Sequence, residues 1–190
     1  MKVDIYNTDK KYNIIYADPP WQYTKKLINR GKARAVEKEY QTMDLCEMKK
    51  IINNISYQDS VLFMWVTFPK LELGLNLIKE WGFKYKTCAF NWIKQNKKSD
   101  SLFWGMGFYT RANAEICLIA SRGKGVKVQS HKVHQIIQSR IEEHSKKPDE
   151  VRNKIVELCG DIPRIELFAR QTCDGWDCWG NEAPEDKKIS

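Results

Sequence analysis

The sequence contains no long apolar run and no closely spaced pair of cysteines. No window approaches the ~18 apolar residues that a membrane-spanning helix needs, and the first residues, MKVDIYNTDKKY, lack the apolar stretch of a signal peptide. None of the six cysteines belongs to a CxxC pair, the spacing typical of zinc and redox sites. These absences predict a protein of the cytoplasm whose cysteines stay reduced.

A metal-ligand cluster and an internal repeat are also missing. His131, His134 and His144 lie in a polar stretch without neighbouring cysteines or a carboxylate ligand set, so we expect surface histidines and no metal site. A chain of 190 residues, 42% of them hydrophobic, is long enough for one full core and too short for two. We therefore predict one globular domain over residues 1–190.

Positive charge is present in excess. The chain has 32 lysines and arginines against 24 acidic residues, a formal charge of +8, which favours polyanionic partners such as nucleic acid. Solubility alone also selects lysine, so composition leaves this open. Residues 24–38 contain a single acid, and we interpret them as a mobile basic loop or, alternatively, an exposed linker. The candidate nucleic-acid contacts there are Lys25, Lys26, Arg30, Lys32 and Arg34.

Apolar runs alternate with helical patterns along the chain. The spacing predicts strands over residues 12–17, 61–67, 83–94, 115–121 and 164–168. It predicts helices from a capping box at Asp44, over residues 71–81, and from Lys147 to Gly160. This alternation is typical of an α/β sandwich with a mainly parallel sheet, whose ligands bind beyond the carboxyl ends of the strands.

A long loop, residues 95–113, separates two of the predicted strands and suggests a function of its own. Its central part, WGMGFYTR at 104–111, has aromatic side chains suited to stacking on bases and Arg111 suited to phosphate. The glycines within it favour mobility. We predict a second substrate loop here.

The strongest chemical signal is Asp18-Pro19-Pro20-Trp21, directly after the first apolar strand. The prolines lack N–H donors and fix φ, so the Asp18 carboxylate and the Pro19 carbonyl become rigid acceptors. An aromatic amine such as that of adenine is a weak nucleophile until acceptors hold its N–H bonds out of the ring plane. Trp21 offers a flat face for an extruded base. The alternative is an ordinary turn with a packing tryptophan, because four-residue motifs also occur by chance.

Further motifs make the whole chain similar to the DPPW-type N6-adenine methyltransferases, the family of the catalytic 70 kDa subunit of the mRNA adenosine methyltransferase and its bacterial and phage relatives. The resemblance extends from about Tyr12 to Glu182. Its motifs, in the family's order, are YADPPW at 16–21, YQTM at 40–43, LFMWVT at 62–67, EICL at 115–118, KPDE at 147–150, IELFAR at 165–170 and GNE at 180–182.

The resemblance implies a Rossmann-like methyltransferase sandwich of permuted order, with the catalytic motif first and the cofactor-binding strand last. It implies S-adenosylmethionine as the cofactor and a catalytic set of Asp18, Pro19, Pro20, Trp21 and Tyr40, with Tyr40 lining the adenine pocket. Asp18 also approaches the methionine end of the cofactor, and Lys147 meets its carboxylate. The cofactor-binding residues so implied are Asp18, Lys147, Glu166, Phe168, Arg170, Asn181 and Glu182.

Two mild departures from the family stand in this part of the chain. Ala169 occupies a position where some relatives have glycine, and Glu182 one where others have an amide. Phe168 would serve equally as a core residue, Lys147 as a solvated cation and Tyr40 as a packing aromatic. The polar chemistry of Lys147, Asn181 and Glu182 nevertheless matches a carboxylate and a ribose diol.

Three functions remain in competition at this level. The first is site-specific methylation of adenine N6 in DNA, by an enzyme of a restriction system or an orphan of phage or bacterial origin. The second is the same chemistry on RNA. The third is a non-catalytic nucleic-acid-binding subunit, against which the intact Asp18 and Lys147 argue. Because the chain is small, we expect a homodimer or a partner subunit to share the grip on nucleic acid.

Overall fold

One seven-stranded sheet organises the chain. The computed structural model describes residues 1–21, 45–143 and 145–180, with the side chains of the first helix described from residue 50 onward. The strands are β1 (Tyr12–Ala17), β2 (Ser56–Val66), β3 (Lys84–Gln95), β4 (Ala114–Arg122), β5 (Ile136–Arg140), β6 (Arg164–Leu167) and β7 (Asp177–Trp179). Their order across the sheet is β5-β3-β4-β2-β1-β6-β7. Four of the six pairings are parallel, and β4 runs antiparallel to both of its neighbours.

Helices cover both faces of this sheet. They are α1 (Leu45–Ile55), α2 (Leu71–Glu80), preceded by a short 3-10 helix over Phe68–Lys70, and α3 (Glu150–Cys159). Side chains alternate along a strand, so Ile15 of β1 packs with α1 and α2 while Tyr16 packs with α3. The three layers confirm the predicted Rossmann-like α/β class, with the Asp-Pro-Pro-Trp motif after the first strand and β6 late in the chain.

The strand predictions were right for the buried strands and incomplete at the edges. The predicted strand at 61–67 begins earlier, at Ser56, because the exposed residues 57–59 carry no apolar signal. Strands β5 and β7 were missed, since both are short and β7 lies at an edge of the sheet. Partly exposed strands give weak periodicity, which explains both differences.

The predicted start of α3 at Lys147 was wrong by three residues. The helix begins at Glu150 with Asp149 in the N-cap position, so Pro148 precedes the helix and Lys147 lies in the turn before it. The carboxylate of Asp149 accepts hydrogen bonds from Arg152 at 2.6 Å and from Gln171 at 2.9 Å. The Asp149 side chain makes no N-cap hydrogen bond to the helix.

Within the described ranges, no helix is long and apolar enough to cross a membrane. His131 and His134 are exposed, as predicted, whereas His144 lies outside the described residues. In that same part of the chain, no group of three or more His, Cys, Asp or Glu residues is placed to hold a metal ion.

Candidate active site

The predicted catalytic motif lies where the central strands of the sheet end. Ala17, the last residue of β1, is in register with Met64 on one side and Leu167 on the other. Asp18 and Phe168, the residues that follow β1 and β6, therefore leave the sheet side by side. This is the carboxyl edge, where ligands bind in open α/β sheets.

An ion pair joins the motif to the turn before α3. The ammonium of Lys147 donates to Oδ2 of Asp18 at 2.7 Å and to the carbonyl oxygen of Ser145 at 3.3 Å. Ser145 has φ +60°, in the left-handed region, which bends the chain ahead of Lys147. The side chain of Lys147 is only 11% exposed, and its Nζ lies 5.7 Å from the centre of the Trp65 ring. The ammonium is thus largely buried beside an aromatic ring, while the Asp18 side chain is 28% exposed.

Two more charged side chains extend this pair into a chain of four. Glu115, near the start of β4, lies 3.4 Å from Lys147 through Oε2, and its Oε1 accepts a hydrogen bond from Lys94 of β3. Positive and negative groups alternate along the row Lys94, Glu115, Lys147 and Asp18. Below, we call these four residues the charge row.

Burial and pairing act in opposite directions on the titration of these groups. Burial raises the pKa of Asp18, and Lys147 opposes that rise only in part. Burial would also raise the pKa of Glu115, but Lys147 and Lys94 outweigh it and lower that pKa. For Lys147, burial is outweighed by Asp18 and Glu115, so the pKa of the ammonium is raised. Lys147 therefore stays charged at neutral pH, while burial makes the ionised form of Asp18 costly and Lys147 offsets part of that cost.

The remaining members of the motif are fixed by the core. Pro19 is buried and Pro20 half-buried. The indole N–H of Trp21 donates to the backbone oxygen of Trp65 at 3.2 Å, and the ring packs against the core beneath α2. Trp21 is half-buried and so keeps part of its surface available. This anchoring was not foreseen from the sequence.

Both carboxylate oxygens of Glu166 accept hydrogen bonds from one residue of the protein, Arg152. The guanidinium of Arg152, in α3, donates to Oε2 at 2.7 Å and to Oε1 at 2.8 Å. Glu166 is 8% exposed and Arg152 is 6% exposed. The guanidinium also lies over the Tyr16 ring. Burial raises the pKa of Glu166, and Arg152 opposes the rise. This two-point ion pair ties α3 to β6.

Phe168 and its neighbours form an aromatic corner at the same edge. Phe168 has φ +61°, which turns the chain sharply after β6. Its ring meets Trp179 edge to face at 5.5 Å, and Trp179 meets Tyr6 in the same way at 6.1 Å. Tyr6 also lines a 260 Å³ cleft between the N-terminal segment and α1, with Ile5, Lys50, Ile51 and Asn54. Burial raises the pKa of Asp18, and the positive charge of Arg170 lies close enough to oppose a small part of that rise.

The loop predicted at 95–113 forms an arm that projects from the same edge of the sheet. We call residues 101–113 the aromatic arm. Gly105 pairs with Ala112, and Gly107, at φ +60°, makes the turn at its tip. Trp104 is 72% exposed and Met106 82% exposed. The other large exposed side chains of the arm are those of Leu102, Phe108, Tyr109 and Arg111.

Several predicted site residues lie outside the described part of the chain. They are Tyr40, Lys25, Lys26, Arg30, Lys32, Arg34, Asn181 and Glu182. Of the others, the structure brings Asp18, Lys147, Phe168 and Arg170 to one edge of the sheet, with Pro19, Pro20 and Trp21.

Sequence reasoning gave no role to four residues that the fold brings to this edge. Glu115 stood only within a quoted motif, and Lys94 ended a predicted strand. Trp179 and Tyr6 carried no pattern of their own. The available signal was position alone, since Lys94 and Glu115 flank the long loop and a loop that joins neighbouring strands brings its two ends together.

The fold and this edge together define a Rossmann-like methyltransferase. The MT-A70 family model matches residues 12–182, and the chain belongs to that family. It is 36% identical to the Type II methyltransferase M.MunI of a Mycoplasma species, over 94% of this chain and 80% of that protein. It is 27% identical to the human N(6)-adenosine-methyltransferase catalytic subunit METTL3, over 90% of this chain and 28% of that protein. A similar protein of Drosophila melanogaster matches at 27%, over 90% of this chain and 27% of its own length.

Proposed function

We propose that this protein transfers a methyl group from S-adenosylmethionine to the N6 amine of adenine in DNA. The observation that carries the proposal is the 2.7 Å ion pair between Asp18 and Lys147 at the carboxyl edge of the sheet. Asp18 is the first residue of the Asp-Pro-Pro-Trp turn. A rigid carboxylate with a charged partner is what activation of a weak amine nucleophile requires.

The protein groups at this edge activate the amine by orientation. The Asp18 carboxylate and the Pro19 carbonyl accept the two N–H bonds of the adenine amine and so hold its lone pair out of conjugation with the ring. Asp18 need not remove a proton before transfer, because the hydrogen bond increases the electron density on nitrogen. The half-buried Trp21, tied to Trp65, supplies a fixed surface against the target base.

The charge and shape of the site fit the cofactor. The methionine end of S-adenosylmethionine carries an ammonium and a carboxylate, which complement Asp18 and Lys147. Phe168, Arg170 and the neighbouring Trp179 would border its adenosine part, and Asn181 and Glu182 its ribose. When bound, the cofactor supplies a methyl group on a positively charged sulfur. Because both oxygens of Glu166 accept bonds from Arg152, we propose that Glu166 supports cofactor binding by holding α3 in place.

DNA is the favoured polymer because the length of this chain is closer to that of M.MunI than to that of the N(6)-adenosine-methyltransferases. The chain covers 80% of M.MunI, a Type II methyltransferase and hence a relative from DNA restriction-modification systems. It spans only about a quarter of the length of the N(6)-adenosine-methyltransferases. RNA is the alternative, since adenine presents the same amine in both polymers.

The aromatic arm suits single-stranded or extruded bases near the target. Base stacking on an exposed aromatic contributes about 1–3 kcal/mol. We expect Trp104→Ala to weaken binding of an adenine-containing oligonucleotide about tenfold, and Arg111→Ala to reduce the salt dependence by about one counterion. Cofactor affinity stays unchanged in both variants. Unchanged oligonucleotide affinity in both would remove the arm from the nucleic-acid surface.

A second subunit would enlarge the surface that grips DNA. We propose a homodimer, because the described part of the chain offers one arm and one edge. Sedimentation with and without DNA tests this, and a monomer that remains fully active on DNA refutes it.

The transfer of tritium from labelled S-adenosylmethionine to oligonucleotides tests the proposed function. Wild type is compared with Asp18→Ala on matched DNA and RNA sequences with and without adenine. Asp161→Asn, which alters an exposed carboxylate, serves as the control and retains activity. Transfer to DNA that depends on adenine and on Asp18 supports the proposal. Transfer to RNA alone favours the alternative, and no transfer to any adenine-containing polymer refutes both.

A further inference from the structure

Glu115 occupies a place in the site that the proposed reaction has not yet used. It is the second residue of β4, which runs antiparallel to β2 and β3, so the start of β4 lies at the edge where those two strands end. Its side chain is 16% exposed and faces the same layer as Trp92, its partner in register. Each carboxylate oxygen meets a different ammonium, Lys94 on one side and Lys147 on the other.

Glu115 is one of three acceptors that surround the ammonium of Lys147. An ammonium has three N–H bonds, and three acceptors surround this one. The shortest contact, 2.7 Å, is to Asp18, the next is to the Ser145 carbonyl at 3.3 Å, and Glu115 stands at 3.4 Å. The Asp18 carboxylate that holds Lys147 is also the carboxylate that the proposed reaction needs for the substrate amine.

Redirecting Asp18 toward a substrate amine would weaken the shortest ion pair of Lys147, the 2.7 Å contact. Weakening one partner of a largely buried pair is costly, and of the protein carboxylates described near Lys147, only Glu115 then remains close to it. Glu115 is already oriented to compensate, since Lys147 needs only a small movement to shorten the 3.4 Å contact.

We propose that Glu115 is a positioning residue, which takes over Lys147 as a second carboxylate partner when Asp18 turns to the substrate amine. The inference rests on the proposed function, because it assumes that Asp18 accepts from that amine. No bond is made or broken at Glu115. Its contribution is to keep Lys147 charged and in place in both arrangements.

Lys94 fixes Glu115 for this role. Its ammonium holds Oε1 of Glu115, and its Nζ lies 4.9 Å from the centre of the Trp92 ring. Its backbone is also fixed, since the carbonyl accepts from Phe103 at 2.8 Å and the N–H donates to Asn113 at 2.9 Å. The lowered pKa of Glu115 and the raised pKa of Lys147 agree with a carboxylate that stays ionised between two cations.

The test combines steady-state kinetics with direct titration of Lys147. Glu115→Gln keeps the shape and removes the charge. We expect kcat for methyl transfer to fall about tenfold or more, with a smaller change in KM for the cofactor, because the loss is felt when Asp18 is redirected. The pKa of Lys147, followed by NMR of 13Cε-labelled lysine without cofactor and assigned with Lys147→Met, should decrease. Glu115→Asp, which keeps the charge, should recover part of kcat.

Lys94→Met supplies a second variant in case Glu115→Gln does not fold. It leaves Glu115 to Lys147 alone, so the pKa of Lys147 should stay or rise, and kcat should fall less than in Glu115→Gln. If Glu115→Gln changes neither the Lys147 pKa nor kcat, or if the Lys94→Met pKa falls, the inference is wrong. If wild type methylates no adenine polymer, the proposed function fails, and a drop in the Lys147 pKa would then show positioning by Glu115 without that role in catalysis.

Discussion

The ammonium of Lys147 lies 2.7 Å from Oδ2 of Asp18, although 129 positions separate the two residues in the chain. The parallel pairing of β1 with β6 brings Asp18 to the carboxyl edge, and the left-handed Ser145 turns Lys147 back toward it. The contact makes one side chain the counter-charge of the other. Much of the chemistry expected of this protein follows from it.

Asp18→Asn should abolish methyl transfer without harming the fold. The amide keeps the shape but loses the charged acceptor, so we expect a loss of about 10²-fold or more in kcat. Because the folded-state pKa of Asp18 is raised, its ionised form costs stability at neutral pH, and the cost disappears as pH falls through that pKa. The variant also removes the nearest counter-charge of the largely buried Lys147, which is destabilising. The two effects oppose each other, so we expect a melting temperature at pH 7 close to that of wild type, measured by calorimetry. A collapse of the fold would contradict this expectation.

Lys147→Met should shift the acid limb of the pH–rate profile. Lys147 opposes the raised pKa of Asp18, so its removal raises that pKa further. Since the ionised Asp18 is the useful acceptor, kcat at saturating cofactor should require a higher pH in the variant than in wild type. An acid limb at the same pH in both proteins would show that Asp18 does not govern it.

Stability at alkaline pH provides a further readout of Lys147. Its folded-state pKa is raised above the ordinary value, so its stabilising contribution is complete below the unfolded pKa and is lost as pH rises through the folded one. Wild type should lose stability over that alkaline range, and Lys147→Met should show less of this loss. Urea unfolding at several alkaline pH values measures it.

The pair of Arg152 and Glu166 should behave as a structural unit. Arg152→Met leaves the buried Glu166 carboxylate unpaired and should cost about 3–5 kcal/mol of unfolding free energy. Glu166→Leu leaves Arg152 with Asp149 as its partner and should cost less. The double variant should recover most of that loss, because two apolar side chains then fill the same space. If Glu166 acts only through Arg152, the double variant keeps the cofactor KM within about threefold of wild type. A much larger KM in a stable double variant would indicate direct contact between Glu166 and the cofactor.

The sequence was sufficient where local chemistry determines structure. The buried strand ahead of Asp18 was predicted at 12–17 and found there, and the motif order identified the family. The charge row was not predicted, because Lys94, Glu115 and Lys147 become neighbours only through strand order and an antiparallel β4. The hydrophobic periodicity of a single segment carries no information about contacts between side chains from different segments. The polar Arg152, in the first turn of α3, likewise gave no sign of its partner in β6.

Gly180 should be required for the shape of the aromatic corner. A Cβ built there would lie 2.2 Å from the oxygen and 2.6 Å from the nitrogen of Ala169, which are backbone atoms that cannot move alone. Gly180→Ala therefore separates β7 from the segment after β6, where the N–H of Ala169 donates to the Trp179 oxygen at 2.9 Å. We expect a loss of about 2 kcal/mol in unfolding free energy. We also expect about tenfold weaker binding of S-adenosylhomocysteine, because Phe168 packs on Trp179 and would move with it.

Gly125→Ala is the matched control for this glycine. Gly125 has φ +72°, so alanine is strained there by about 1–2 kcal/mol. Its Cβ would meet side-chain atoms of Ser121 at 3.2 Å and of Val61 at 3.8 Å, and no backbone atom as closely. The turn lies at the end of β4 opposite the site. Gly125→Ala should thus lower stability by a similar amount while product affinity, measured by titration calorimetry, stays at the wild-type value. Equal affinity in the two variants would show that the aromatic corner does not bind the cofactor, since only Gly180→Ala displaces it.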